Sequence, residues 1–174
     1  MNATGATSNR DRRFIAVHRG GLLTDANHRA LMRWALASAR HLLRICPPEQ
    51  QAVIEEAFGI AERWADGNAT TGEAMEASRS LHRRARSARC TTAVYCYRIA
   101  AHTLAAAHMA DHAFGPLYYG RKLFLHLDRP FDGELSWMHR RLHTICPQME
   151  EAVICVLNTR FSIQLCGEIA ETSR

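Results

Sequence analysis

The chain has 174 residues, 47% of them hydrophobic and 22% charged, which is the composition of a globular domain with one sizeable core. Its formal net charge is +5, a balance that favours an acidic partner but does not by itself indicate nucleic acid. The sequence contains no run of about eighteen apolar residues, and this excludes a membrane-spanning helix of ordinary length.

Residues 1–15 are polar and are predicted to form a disordered arm, and residues 16–174 are predicted to form a single domain. The start of the chain lacks the apolar segment of a signal peptide, so we expect a cytoplasmic protein. In that compartment the cysteines are expected to be reduced thiols, several of them buried. They are Cys46, Cys90, Cys96, Cys146, Cys155 and Cys166.

The first predicted helix covers residues 24–45, with Thr24 or Asp25 as its N-cap. A Cys-Pro-Pro sequence ends it, because proline lacks the donor that a helix interior needs. A second helix is predicted over residues 48–66, where proline suits the first turn and Gly67 suits the C-terminal end.

The third predicted helix covers residues 71–88 and carries an arginine-rich face. Arg79, Arg83 and Arg86 follow the i, i+4, i+7 spacing, so they share one side of the helix. This face is either a solvated helix end or a surface that binds carboxylates or phosphates. Because the helix has no interleaved aromatic residues, we do not expect it to bind nucleic acid.

A fourth helix is predicted to begin near residue 91 and to contain residues 101–115, with a kink or break at Pro116. Helical pattern resumes over residues 117–127, and two further helices are predicted at 134–146 and 148–165. The last of these would also suit a strand. The prediction is an all-α bundle of six to seven helices, with the helix at 101–113 near its centre.

Residues 40–55 and 140–155 are identical at eight of sixteen positions, including an Ile-Cys-Pro sequence in each. This similarity is either an internal duplication or the convergence of two helix corners on the same residues. One repeat is too few to indicate a solenoid.

The segment 101–115 holds three histidines and an aspartate on an alanine-rich background. At about 100° per residue, His108 and His112 share a helix face with Asp111, whereas His102 lies about 120° away. A zinc site needs a third ligand and an open position, and the sequence identifies no third ligand. We therefore predict that His102, His108, Asp111 and His112 form a structural polar seam, with His108 and His112 buried against a neighbouring helix. No metal, cofactor or catalytic residue is predicted.

Two stretches, residues 63–88 and 98–123, resemble the putative immunity protein family found beside bacterial polymorphic toxins. The resemblance extends over about residues 28–147. The positions that carry it are Arg63, Trp64, Gly67, His82, His108, His112, Ala113, Gly115 and Tyr119.

The resemblance implies a helix bundle that binds a cognate toxin protein stoichiometrically and is not an enzyme. It transfers no catalytic residues. Two alternatives stay open from the residues themselves: a metal-dependent hydrolase that uses His108, Asp111 and His112, and a basic nucleic-acid-binding regulator. A homodimer is also left open.

Overall fold

In the computed structural model, residues 11–161 are described, and within them the chain forms seven α-helices and no β-strand. The helices are α1 (Asp25–Leu42), α2 (Pro48–Ala65), α3 (Thr71–Ser87), α4 (Thr91–Ala105), α5 (Gly115–His126), α6 (Asp132–Ile145) and α7 (Glu150–Arg160). The all-α prediction is confirmed.

The N-terminal ends of α1 and α3 follow from local capping. The Thr24 hydroxyl accepts a hydrogen bond from the Asn27 amide at 3.2 Å and begins α1. At α3, the Thr70 hydroxyl accepts from the Glu73 amide while the Glu73 carboxylate accepts from the Thr70 amide. Such reciprocal bonds satisfy donors that have no partner inside the helix.

The fourth helix lies at the centre of the bundle, where it contacts α1, α2, α3 and α5. Ile99, Ala100, Ala101 and Leu104 on this helix are fully buried. The small side chains of Ala100 and Ala101 allow neighbouring helices to approach closely, and Ile99 and Leu104 fill the space between them. On the other side, α1 packs against α6, where the Trp34 indole N–H donates to the Met138 carbonyl at 2.9 Å.

The helix predicted to continue to residue 113 ends at Ala105, so that prediction is wrong. The chain turns at residues 106–109 and then forms a 3-10 helix at Ala110–Phe114 before α5 begins. Pro116 does not cause the break. It stands in the first turn of α5, where its missing N–H removes no helical hydrogen bond.

The disordered arm was predicted over residues 1–15, and the structure describes the last five of these residues as ordered chain. Arg12–Phe14 form a 3-10 helix, and the Phe14 ring packs edge-on to Phe114 in the core. Residues 1–10 lie outside the described residues, as do residues 162–174 with Cys166.

Two further predictions concern the C-terminal part. Glu150–Arg160 is a helix, not the strand that its β-branched residues would also have suited. The two Ile-Cys-Pro corners have similar environments, since Cys46 and Cys146 are both buried at the end of a helix. Duplication of the segment stays a prediction.

Among residues 11–161, no helix is both long enough and apolar enough to cross a membrane.

The close approach of α5 to α4 predicts a stability effect at Gly115. A Cβ atom there would lie 2.2 Å from the Cβ of His102. Because overpacking of this kind costs about 1–3 kcal/mol, we expect Gly115→Ala to lower the melting temperature by several degrees.

The matched control is Gly59→Ala inside α2, where the nearest atom lies 3.9 Å away. That change is expected to stabilise the chain by about 0.5–1 kcal/mol. Equal melting temperatures for the two variants would contradict the close packing of Gly115 against His102.

Candidate binding cleft and histidine cluster

A cleft of about 280 Å³ opens where four parts of the chain meet. Its walls come from the N-terminal segment at residues 14–19, the first turns of α1, the α2–α3 connection and residues 107–110. Six ionisable side chains line it: two arginines, three histidines and one carboxylate. They are His18, Arg19, Asp25, His28, Arg29 and His108.

Trp64 forms an aromatic wall of this cleft. Its indole N–H donates to the Thr71 hydroxyl at 3.1 Å, which holds the end of α2 against the start of α3. The His28 ring packs edge-on to the indole with ring centroids 4.9 Å apart. These contacts fix the orientation of both rings before any partner binds.

Gly67 allows Arg29 to enter the cleft. Its φ of +85° suits glycine at the end of α2, since side chains rarely adopt that conformation. A Cβ at this position would lie 2.6 Å from the Arg29 Nη1. The glycine therefore both ends the helix and makes room for the guanidinium.

His28 secures the chain where α4 ends. Its Nε2 lies 2.6 Å from the Ala106 carbonyl oxygen, so in the neutral ring Nε2–H donates to that carbonyl. Burial lowers the pKa of His28, although the hydrogen bond to Ala106 and the Asp25 carboxylate oppose the shift. The neutral imidazole is the form that this environment favours.

Three histidines meet on the other side of residues 106–114. The Nδ1 atoms of His102 and His112 are 3.0 Å apart, and the His82 ring packs edge-on to His102 with centroids 5.2 Å apart. Arg98 Nη1 donates to His82 Nδ1 at 3.1 Å, and the Tyr119 ring lies against His102. On an unbroken helix, His102 had been expected to lie too far around the axis to join His108 and His112 easily. That expectation is wrong for His112, because the break after Ala105 lets the chain fold back against His102.

The surroundings of His102 and His82 disfavour the protonated form of both rings. Burial, with smaller effects from His112, His82 and Arg98, lowers the pKa of His102 to about 3. Burial also lowers the pKa of His82, and Arg98 adds to the shift. A ring that stays neutral down to about pH 3 is a poor general base at pH 7, so the cluster suits packing better than proton transfer.

The residues of the predicted seam do not act as one group. His108 is exposed and lines the cleft, so its predicted burial is wrong. Asp111 lies 3.6 Å from Arg160 of α7, and His112 contacts His102. Among residues 11–161, no three His, Cys, Asp or Glu side chains are arranged to hold a metal ion.

The arginine face of α3 is exposed, as its spacing indicated. Arg79 and Arg83 both pair with Glu76, at 2.9 and 3.0 Å. Part of the positive charge on this face is therefore already neutralised within the helix, which leaves less of it for a partner.

Residues 21–145 match the family described as "Imm-5 like putative immunity protein". The chain belongs to this family. No curated protein matches the chain, and no solved structure does. The helix α7, with its Asp111–Arg160 contact, lies outside the matched residues.

The positions that carried the family resemblance fall mainly into two places. Trp64, Gly67 and His108 line the cleft, whereas His82, His112, Gly115 and Tyr119 surround His102. The immunity-family signature thus marks both sides of the segment that follows α4.

Sequence reasoning missed the basic residues of the cleft. Arg19 and His18 lie in the N-terminal segment, and His28 and Arg29 lie in the first turns of α1, far in sequence from Trp64. No local pattern brings these segments together. One feature of the sequence did point to this place. Gly67, three residues after Trp64, marks the end of a helix, and another segment of the chain can pack against such an end.

The low pKa of His102 predicts acid sensitivity. The unfolded chain takes up a proton at His102 near pH 6.5, whereas the folded chain does so only near pH 3. Stability is therefore lost as the pH falls below about 6.5. From pH 7.5 to 5.0 we expect His102 to account for about 1–2 kcal/mol of that loss.

Urea denaturation of wild-type protein and His102→Asn at both pH values checks this expectation. The variant should lose less stability on acidification than the wild type, and His108→Asn, at an exposed position, is the control. An identical pH dependence in wild type and His102→Asn would show that the ring is protonated normally in the folded chain.

Proposed function

We propose that this chain is an immunity protein that binds a cognate bacterial toxin in the cytoplasm and neutralises it by forming a stoichiometric protein–protein complex. The observation that carries the proposal is the family match over residues 21–145. A preformed cleft with basic side chains and an aromatic wall supports a role in binding.

A binding role accounts for the residues better than catalysis does. The hydrolase alternative needs His108, Asp111 and His112 to act on one substrate, yet His108 is exposed in the cleft, whereas His112 is half-buried against His102. We therefore propose that the chain has no enzymatic activity and needs no cofactor. The nucleic-acid alternative depends on the arginine face of α3, where Glu76 already pairs with two of the three arginines. Arg79, Arg83 and Arg86 stay a proposed, weaker contact surface for the toxin.

The proposal predicts protection through binding. The test pairs this chain with the C-terminal module of the toxin encoded beside its gene. Expression of the chain should restore growth to bacteria that produce the active module. A catalytically inactivated module should co-elute with the purified chain, and light scattering should give the summed mass of the two proteins.

Two results would contradict it. Protection without a complex would indicate that the chain destroys the toxin or its product enzymatically. A full equivalent of tightly bound zinc or manganese in the purified chain, lost in His108→Ala, would favour the hydrolase. An unrelated toxin module serves as the control for both growth and co-elution.

A further inference from the structure

We infer that the cleft between Arg19 and Arg29 is the surface that holds the toxin, and that it receives an Asp or Glu side chain from an acidic segment of that protein. This inference rests on the function proposed above and adds the surface and the chemistry of the contact. The partner's carboxylate enters between the two guanidinium groups, with Trp64 and His108 at its sides.

The two arginines of the cleft carry positive charge that no carboxylate of the described chain neutralises by an ion pair. Among the described residues, neither Arg19 nor Arg29 has a hydrogen bond or an ion pair to a side chain, whereas Arg33, Arg40, Arg79 and Arg83 all pair with carboxylates. Arg29 is also half-buried over Gly67. A partly desolvated guanidinium without a counterion is well suited to a carboxylate, which it can bind through two parallel hydrogen bonds.

The N-terminal segment that contributes to the cleft also carries exposed aliphatic side chains. Val17 lies between Ala16 and His18, which line the cleft, and Leu22 follows a few residues later in the chain; the two side chains are 59% and 62% exposed. The segment is held in place by hydrogen bonds from the Val17 amide to the Leu23 carbonyl and from the Leu22 amide to the Arg12 carbonyl. Arginine and tryptophan are enriched at the energetically important positions of protein interfaces, and both line this cleft.

The cleft is already formed in the free protein. The Trp64–Thr71 and His28–Ala106 hydrogen bonds orient the cleft walls in the free protein. A partner that enters a formed site loses less free energy to ordering side chains than one that must shape the site itself. The cleft has room for one or two side chains, at about 280 Å³.

The same features favour a protein over a nucleic acid. Nucleic-acid surfaces are more uniformly positive than protein interfaces, because they contact a row of phosphates. Here a carboxylate, Asp25, lines the cleft together with the cations, and the Trp64 ring and several alanines also line it. We therefore assign the cleft to a protein partner and treat nucleic acid as an outcome of the test.

Charge reversal tests the inference in the complex itself. Arg19→Glu and Arg29→Glu should each weaken binding to the inactivated toxin module at least about tenfold, measured by calorimetry, because a close charge pair at an interface becomes a repulsion. Arg19 is exposed, so its variant is expected to fold even if Arg29→Glu does not. Circular dichroism and melting temperature establish folding before affinity is measured.

Two matched variants make the comparison specific. Arg140→Glu changes net charge equally at an exposed position of α6 outside the cleft and should alter affinity less than about threefold. Arg83→Glu makes the same change on the arginine face of α3. Loss of binding in Arg83→Glu with none in the cleft variants would overturn the inference and move the contact to α3.

A peptide arm separates this inference from the proposed function, because it needs no toxin. Acetylated tetraglutamate is titrated into the labelled chain while the three tryptophan indole N–H signals are followed by NMR. Trp64 should shift, and Trp34, which is buried, should not. The shift should disappear in Arg19→Glu and should not occur with tetralysine.

The outcomes are distinguishable. If the toxin module binds and all variants bind equally, the proposed function stands and the inference fails. If the module does not bind but tetraglutamate shifts the Trp64 signal as described, the cleft does bind carboxylates and the proposed toxin partner is wrong. No response of Trp64 to tetraglutamate, or cleft-dependent binding of a DNA oligonucleotide in its place, overturns the inference.

Discussion

The end of α4 at Ala105 is the feature on which both sites depend. Once the helix stops, the Ala106 carbonyl needs a donor, and the His28 imidazole of α1 supplies one at 2.6 Å. The contact joins residues 78 positions apart. It directs residues 107–110 along the cleft, where His108 becomes exposed beside Trp64.

The same break produces the histidine cluster. After residues 107–109 the chain reverses into the 3-10 helix Ala110–Phe114, which brings His112 back against His102. The reversal requires close packing at the start of α5, and Gly115 permits it because a side chain there would collide with His102. One turn therefore places an exposed histidine at the cleft and a half-buried pair of rings behind it.

Most of the fold could be predicted because its signals are local. Thr24, Pro48, Thr70 and Gly67 mark helix ends by their own chemistry, and the structure has the helices within a few residues of those marks. The break at Ala106 could not be predicted, because three consecutive alanines favour a continuing helix. A tertiary hydrogen bond from α1 outweighs that preference. The errors at His102 and His108 follow from it, since both depended on an unbroken helix.

The tautomer of His28 tests this account most directly. Nitrogen NMR of the imidazole in the folded chain at pH 7 reports which ring nitrogen carries the proton. The account predicts a neutral ring protonated at Nε2, with that proton protected from solvent exchange by the Ala106 carbonyl. A ring protonated at Nδ1 alone, or a cationic ring at pH 7, would contradict the account, because the chain after α4 would then be held by some other contact.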